Sequence, residues 1–123
     1  FVAPDLLKAP TALVDSLIES GVGPCKHVDL DSIISETDVL YVTRVQQERF
    51  VDQSVYEKVN RSYVVNVDTM DIAKERMIVM HPLPRVDEIS RAVDKDPRAA
   101  YFRQMEYGMY VRMALLALVF GKV

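Results

Sequence analysis

The sequence predicts an α/β fold. It reads as an open parallel sheet of about five short strands with helices on both faces, plus C-terminal helices that pack on a domain outside the chain. Three observations carry this. Short apolar runs alternate with helical patterns on short links, the pattern of right-handed crossover units. The run Asp38-Val39-Leu40-Tyr41-Val42-Thr43 is nearly continuous in apolar residues, as a strand buried on both faces should be. The tail from Met109 to Phe120 holds one charge, Arg112, in twelve positions. A helix that apolar needs burial on most sides, yet it falls short of the ~20 residues that cross a bilayer.

Taken in order, Phe1–Ala3 reads as the end of a strand, broken by Pro4. No initiator Met or signal pattern precedes it; the apolar tail, which the rest of the chain has little left to bury, carries the expectation of a fragment, or of a chain that packs on another domain or subunit. Pro10 and Thr11 open a helix that places Leu13, Val14, Leu17 and Ile18 on one face, and Gly21 closes it. Cys25–Val28 is a second short strand. Asp29 caps a brief helix with Leu30, Ile33 and Ile34. The third strand covers 38–43, and a polar departure, Arg44–Phe50, follows it. Asp52 or Ser54 caps a helix carrying Val55, Tyr56 and Val59. Tyr63–Asn66 is strand four, and Asp68 caps the next helix, with Asp71 in a box-like position. Met77–Met80 is strand five. Asp96-Pro97 then opens a helix through Met105, and Gly108 divides it from the last one. Met105, Met109, Met113 and Leu116 recur at helical core spacing. The division expected is an α/β domain over 1–106 and a packing helix over 107–123.

Composition narrows the function classes. The chain has 123 residues, 50% hydrophobic and 27% charged, enough for one domain with a core. Net charge is −3 with no Lys/Arg block, which argues against nonspecific nucleic-acid binding. One cysteine, Cys25, excludes an internal disulfide and points to a reducing compartment; the expected location is cytoplasmic. It reads as a small core residue rather than a nucleophile. Two histidines far apart and one cysteine make no metal-ligand cluster of usual spacing. The four glycines are scattered, so there is no phosphate-cradling loop, and no nucleophile–His set is visible.

In an open parallel sheet, ligands bind beyond the C-terminal strand ends. Thr43-Arg44 lies at one such end and His81-Pro82 at another. Pro82 and Pro84 flank Leu83, so the chain is stiff there and cannot continue a ladder. The carbonyls of His81, Pro82 and Leu83 remain as acceptors. Arg44, Arg49 and Arg85 supply guanidinium forks suited to carboxylate or phosphate. Glu48, Asp87 and Glu88 can hold their rotamers, and Gln46 offers donor and acceptor. A ligand with carboxylates and an amine or amide satisfies this set. The competing reading is a proline-stiffened surface loop beside a solvated Arg44–Glu48–Arg49 turn.

The run His81-Pro82-Leu83-Pro84-Arg85-Val86-Asp87-Glu88-Ile89 resembles the aspartate carbamoyltransferases. So do Thr43-Arg44-Val45-Gln46 with Glu48-Arg49, and Asp96-Pro97-Arg98-Ala99-Ala100-Tyr101-Phe102-Arg103-Gln104. The resemblance covers the whole chain but only the C-terminal half of the family's catalytic chain. It is nearest to the form embedded in the multifunctional pyrimidine-synthesis protein of animals and fungi. Ornithine carbamoyltransferases carry Cys where Pro82 stands and fit worse.

The resemblance implies condensation of carbamoyl phosphate with L-aspartate, without metal or organic cofactor. It implies that Arg44 binds an aspartate carboxylate with Gln46 beside it. The backbone carbonyls of Pro82 and Leu83 would hold the carbamoyl nitrogen and the incoming amine. Glu48 and Glu88 would partner Arg44, and Asp87 would partner Arg49. The stretch from about Val45 to Asn60 would close over substrates, and the Leu83–Pro84 bond would be cis.

The family's carbamoyl-phosphate motif and the Ser/Lys loop of a neighbouring subunit are not in this sequence. The expectation is therefore an aspartate-binding part, inactive alone, of an enzyme whose full chain forms a homotrimer. Two alternatives stay open: a carbamoyltransferase for another amino acid, and a noncatalytic module that kept the fold.

Overall fold

Two parallel strands carry the described part of the sheet in the computed structural model, which describes residues 1–23, 29–60 and 62–122. Strand β1 (Val39–Tyr41) pairs with β2 (Ile78–Met80), with Val39 opposite Ile78, Leu40 opposite Val79 and Tyr41 opposite Met80. The pairing is extended by the Ile78 N–H on the Asp38 carbonyl (3.0 Å) and the Val42 N–H on the Met80 carbonyl (2.9 Å). On its other edge β2 meets Arg98–Ala100, where Val79 exchanges bonds with the Arg98 carbonyl and the Ala100 N–H.

Five strands were expected, and two are formed among the described residues. The fourth, 63–66, shows one parallel bridge among the described residues, between Val65 and Ile89. A run becomes a strand only where successive backbone groups enter a ladder, and among the described residues the ladder contact of this run is at Val65. Val2 takes up a bridge position within the expected first strand. The expected strand at Cys25–Val28 lies outside the described residues.

The helices are set by local chemistry. α1 (Thr11–Glu19) starts after Pro10 as expected. It ends in a Schellman motif: Gly21, at φ 77°, donates to the Ile18 carbonyl, and Val22 donates to Leu17. In α2 (Asp31–Ile34) the Asp29 carboxylate accepts the Asp31 N–H at 3.2 Å. Asp52, rather than Ser54, caps α3 (Gln53–Val59), accepting the Ser54 N–H at 2.8 Å.

The cap of α4 (Val67–Ile72) is Asn66, not Asp68. Asn66 is extended, its side chain accepts the Thr69 N–H at 2.9 Å, and the Thr69 hydroxyl reaches back to the Asn66 N–H. Thr69 thus fills the place that Glu or Gln takes in the usual capping box. Asp68 falls in the first turn, where its charge still complements the helix dipole. Asn66→Ala should cost about 1 kcal/mol, read as a shift in the denaturation midpoint, while Asp68→Ala should cost less.

One helix, α5 (Tyr101–Val119), replaces the expected pair. Gly108 sits inside it without a break. Its helix penalty of about 1 kcal/mol is small against a run rich in Met, Leu and Ala.

The core gathers Ile34, Val65, Met77, Val79, Ile89 and Tyr101, all nearly sealed from solvent. Leu40 packs against it, so Leu40 and its partner Val79 face inward together. The other face of the pair, with Val39, Tyr41 and Ile78, is exposed. The expectation of burial on both faces of β1 therefore holds for one face within these residues. Leu13 and Ile18 of α1 are likewise exposed, as are Met105, Met109, Met113 and Leu116 of α5. Only Tyr101 of α5 is buried.

Candidate functional site

Because β1 and β2 are adjacent and parallel, the chain leaves both through the same edge of the sheet. Thr43-Arg44 emerges beside His81-Pro82, with Val42 bonded to Met80 immediately before the exit. An open cleft of about 910 Å³ borders this edge, and Arg44, Gln46, Arg49, Asn60 and Glu88 line it.

Arg44 is half-buried and held by a two-pronged contact with Glu48, at 3.0 and 2.5 Å. Both lie on the turn leaving β1, with Glu48 in a 3₁₀ turn at Gln47–Arg49. The guanidinium holds the Glu48 carboxyl down to about 2, and Glu48 raises the guanidinium in return. Glu88 adds a smaller coulombic pull on Arg44. The cation is therefore fixed in orientation by an anion that solvent reaches.

Glu88 itself pairs elsewhere. It is buried, and its carboxylate takes the His81 Nε2 at 2.7 Å and the Val86 N–H at 3.1 Å. Its backbone carbonyl accepts the Val65 N–H. The expected Arg44–Glu88 partnership is thus an electrostatic one, with the hydrogen bonds going to the proline loop. Arg49 and Asp87, expected as a pair, are both exposed and form no ion pair among the described residues.

The loop after β2 is knotted by short-range bonds. The Leu83 N–H donates to His81 Nδ1 at 2.8 Å, and Leu83 adopts φ 48° ahead of a cis bond to Pro84. Positive φ is uncommon outside glycine, and the imidazole bond holds Leu83 there. Among the described residues, no donor is paired with the Pro82 or Leu83 carbonyl. Gln104, from the first turn of α5, accepts the His81 N–H at 3.0 Å and reaches the Tyr41 hydroxyl at 3.3 Å.

Arg85 turns away from the cleft. It forks onto Asp94, donates to the Tyr101 hydroxyl at 3.1 Å, and stacks over the Tyr101 ring at 5.4 Å. Its role is to fasten the loop to the buried start of α5. Sequence reasoning placed it with the ligand-binding arginines, offered the His81 carbonyl as an acceptor, and gave no role to the His81 imidazole or to Gln104. A histidine beside a proline, seven residues before a glutamate, carries no recognisable spacing rule, so only the folded loop brings the two together.

No group of three or more His, Cys, Asp or Glu side chains is placed to hold a metal among the described residues. Nor, among them, is any helix long and apolar enough to cross a membrane.

Fold and site together define a ligand-binding α/β domain with its site at the carboxyl edge of a parallel sheet. Residues 1–119 match the family described as "Aspartate/ornithine carbamoyltransferase, Asp/Orn binding domain", and the chain belongs to that family. It is 54% identical over 121 residues to the multifunctional protein pyr1-3 of Dictyostelium discoideum, covering 98% of this chain and 5% of that protein. It is 52% identical over 120 residues to the aspartate carbamoyltransferase catalytic subunit of Thermococcus kodakarensis, covering 98% of this chain and 39% of that one.

Among solved structures, the catalytic subunit of M. jannaschii aspartate transcarbamoylase superposes with a TM-score of 0.89 at 41% identity. That match spans 100% of this chain and 40% of the other. The Trypanosoma cruzi aspartate transcarbamoylase in complex with carbamoyl phosphate gives 0.81 at 46% identity, spanning 94% and 38%. The chain thus spans about two-fifths of the catalytic subunits it matches.

Proposed function

We propose that this chain is the aspartate-binding domain of an aspartate carbamoyltransferase, acting in de novo pyrimidine synthesis in the cytoplasm. The observation that carries this is the side-by-side exit of the Arg44 turn and the proline loop from two paired parallel strands. One brings a cation oriented by a carboxylate, and the other brings main-chain oxygens that take no donor among the described residues. A small amino dicarboxylate needs both.

In this reading the Arg44 fork and the Gln46 amide take an aspartate carboxylate. The Pro82 and Leu83 carbonyls accept N–H from the carbamoyl group and the aspartate amine. The amine attacks the carbamoyl carbon, a tetrahedral intermediate forms, and phosphate leaves to give N-carbamoyl-L-aspartate. Catalysis is then mainly positioning and charge stabilisation, with no metal or organic cofactor.

Carbamoyl phosphate would be held by the part of the enzyme outside this chain. The exposed apolar residues of α5 and the open face of β1 and β2 fit cover by that part, and the full chain would work as a homotrimer. The stretch 45–60, with its 3₁₀ turn and α3, would close over bound substrates. This reading keeps the division into an α/β unit over 1–106 and a bridging helix over 107–123, although α5 runs unbroken across the boundary.

The full-length enzyme should carbamoylate aspartate and leave ornithine untouched, measured by product formation with each amino acid. The isolated 123 residues should show no turnover. Turnover with ornithine, or with neither amino acid, would sink the assignment.

A further inference from the structure

We propose that His81 is a positioning residue whose imidazole sets the Pro82–Leu83 peptide plane, and so the aim of the Pro82 carbonyl. The proposal rests on the functional reading above and deepens it. His81 is 1% exposed, and both ring nitrogens are engaged. Nδ1 receives the Leu83 N–H at 2.8 Å, so it carries no proton. The remaining ring proton lies on Nε2, which donates to Glu88 at 2.7 Å. The tautomer is thereby dictated by the two neighbours. The His81 backbone is held as well, its N–H on the Gln104 amide oxygen at 3.0 Å.

The consequence for the loop is geometric. Leu83 stands at φ 48° with no glycine to make that conformation easy. Its N–H bond to the ring fixes the peptide plane on one side of Leu83, while the backbone of the next residues is tied by Val86 on Glu88. The same Glu88 carboxylate lines the cleft and attracts Arg44. One imidazole therefore joins the two halves of the candidate site: it shapes the turn carrying the acceptor oxygens, and it orients the anion behind the cation.

The two ring nitrogens can be tested separately in the full-length enzyme. His81→Asn places an acceptor near Nδ1 and abandons Glu88. His81→Gln reaches Glu88 and abandons Leu83. The expected result is a crossing of stability and turnover. H81N should melt at a lower temperature yet keep kcat within about fivefold of wild type. H81Q should melt closer to wild type yet lose kcat by about 10–100-fold.

A merely structural role would make kcat follow the folded fraction in both variants, and that outcome overturns the proposal. If one variant fails to fold, the other decides: folded H81Q with full kcat, or folded H81N with kcat reduced more than tenfold, overturns it. A wild-type enzyme without activity on aspartate would instead remove the functional reading, and the proposal with it. An active wild type with an indifferent H81Q removes the His81 proposal alone.

Discussion

Arg44→Ala in the full-length enzyme should raise the KM for aspartate by about 10²–10³-fold, corresponding to about 3–4 kcal/mol for a charge pair lost from a binding site. The argument starts from how the guanidinium is held. Its fork is already oriented by Glu48 at 3.0 and 2.5 Å, so a substrate carboxylate meets a cation whose rotamer is largely set. Planar two-pronged recognition is what an arginine supplies and a lysine does not. Arg44→Lys should therefore recover little of the loss. Glu48→Gln should cost much less than either, because it loosens the cation without deleting it. Loss of a contact made equally in ground and transition states leaves kcat the less affected quantity. Steady-state kinetics in aspartate, at saturating carbamoyl phosphate, would show this. An aspartate KM unchanged by Arg44→Ala would reject the role.

Arg85→Ala should destabilise the domain by about 3 kcal/mol, the lower end for breaking a largely buried ion pair. Asp94 is left with part of its charge uncompensated, though its side chain is 29% exposed and water repays some of the cost. The Tyr101 hydroxyl also donates to Asp94 at 2.6 Å, and its ring carries the guanidinium, so the loss is shared across three side chains.

The pH dependence has two limbs. The Arg85 bond, with help from Tyr101, holds the Asp94 carboxyl below its ordinary value. Its contribution is complete above the usual carboxylate range near 4 and is lost as pH falls through the depressed value. Burial, and then the Asp94 bond, push the Tyr101 phenol up to about 12. That contribution is complete below about 10 and is lost as pH rises toward 12. Asp94→Asn should flatten the acid limb of a stability–pH curve, and Tyr101→Phe the alkaline one. Equal slopes in wild type and variant would reject the network as the cause.

The elements legible in the sequence are those that local chemistry alone decides. Pro10 and Gly21 delimit α1, Asp52 caps α3, and the apolar runs near 39 and 78 become the paired strands. What was misread depended on competition or on distant partners. Asn66 outcompeted Asp68 because Thr69 could answer its side chain. Gly108 lost to the helix around it. Tyr63–Asn66 had strand composition but, among the described residues, entered a ladder at Val65. In the candidate site, the residue types near Arg44 and in the proline loop could be read, and so could the Arg44–Glu48 pair, but the other partners could not. Glu88 was assigned to Arg44 and does attract it, but its hydrogen bonds go to His81 and Val86. Arg85 was placed with the ligand-binding arginines and instead clamps Asp94.

By itself the sequence determined the alternation of strands and helices, the stiffness of the turn after Met80, and the supply of guanidinium and carboxylate groups near two strand ends. These follow from backbone propensity and side-chain chemistry, which act over a few residues. Only the tertiary structure decided that the two ends lie side by side, that an imidazole ties Leu83 to Glu88, and that Arg85 faces the start of α5. Those outcomes depend on burial and on groups 7 to 63 positions apart, and no short-range rule chooses among such partners until the core has closed.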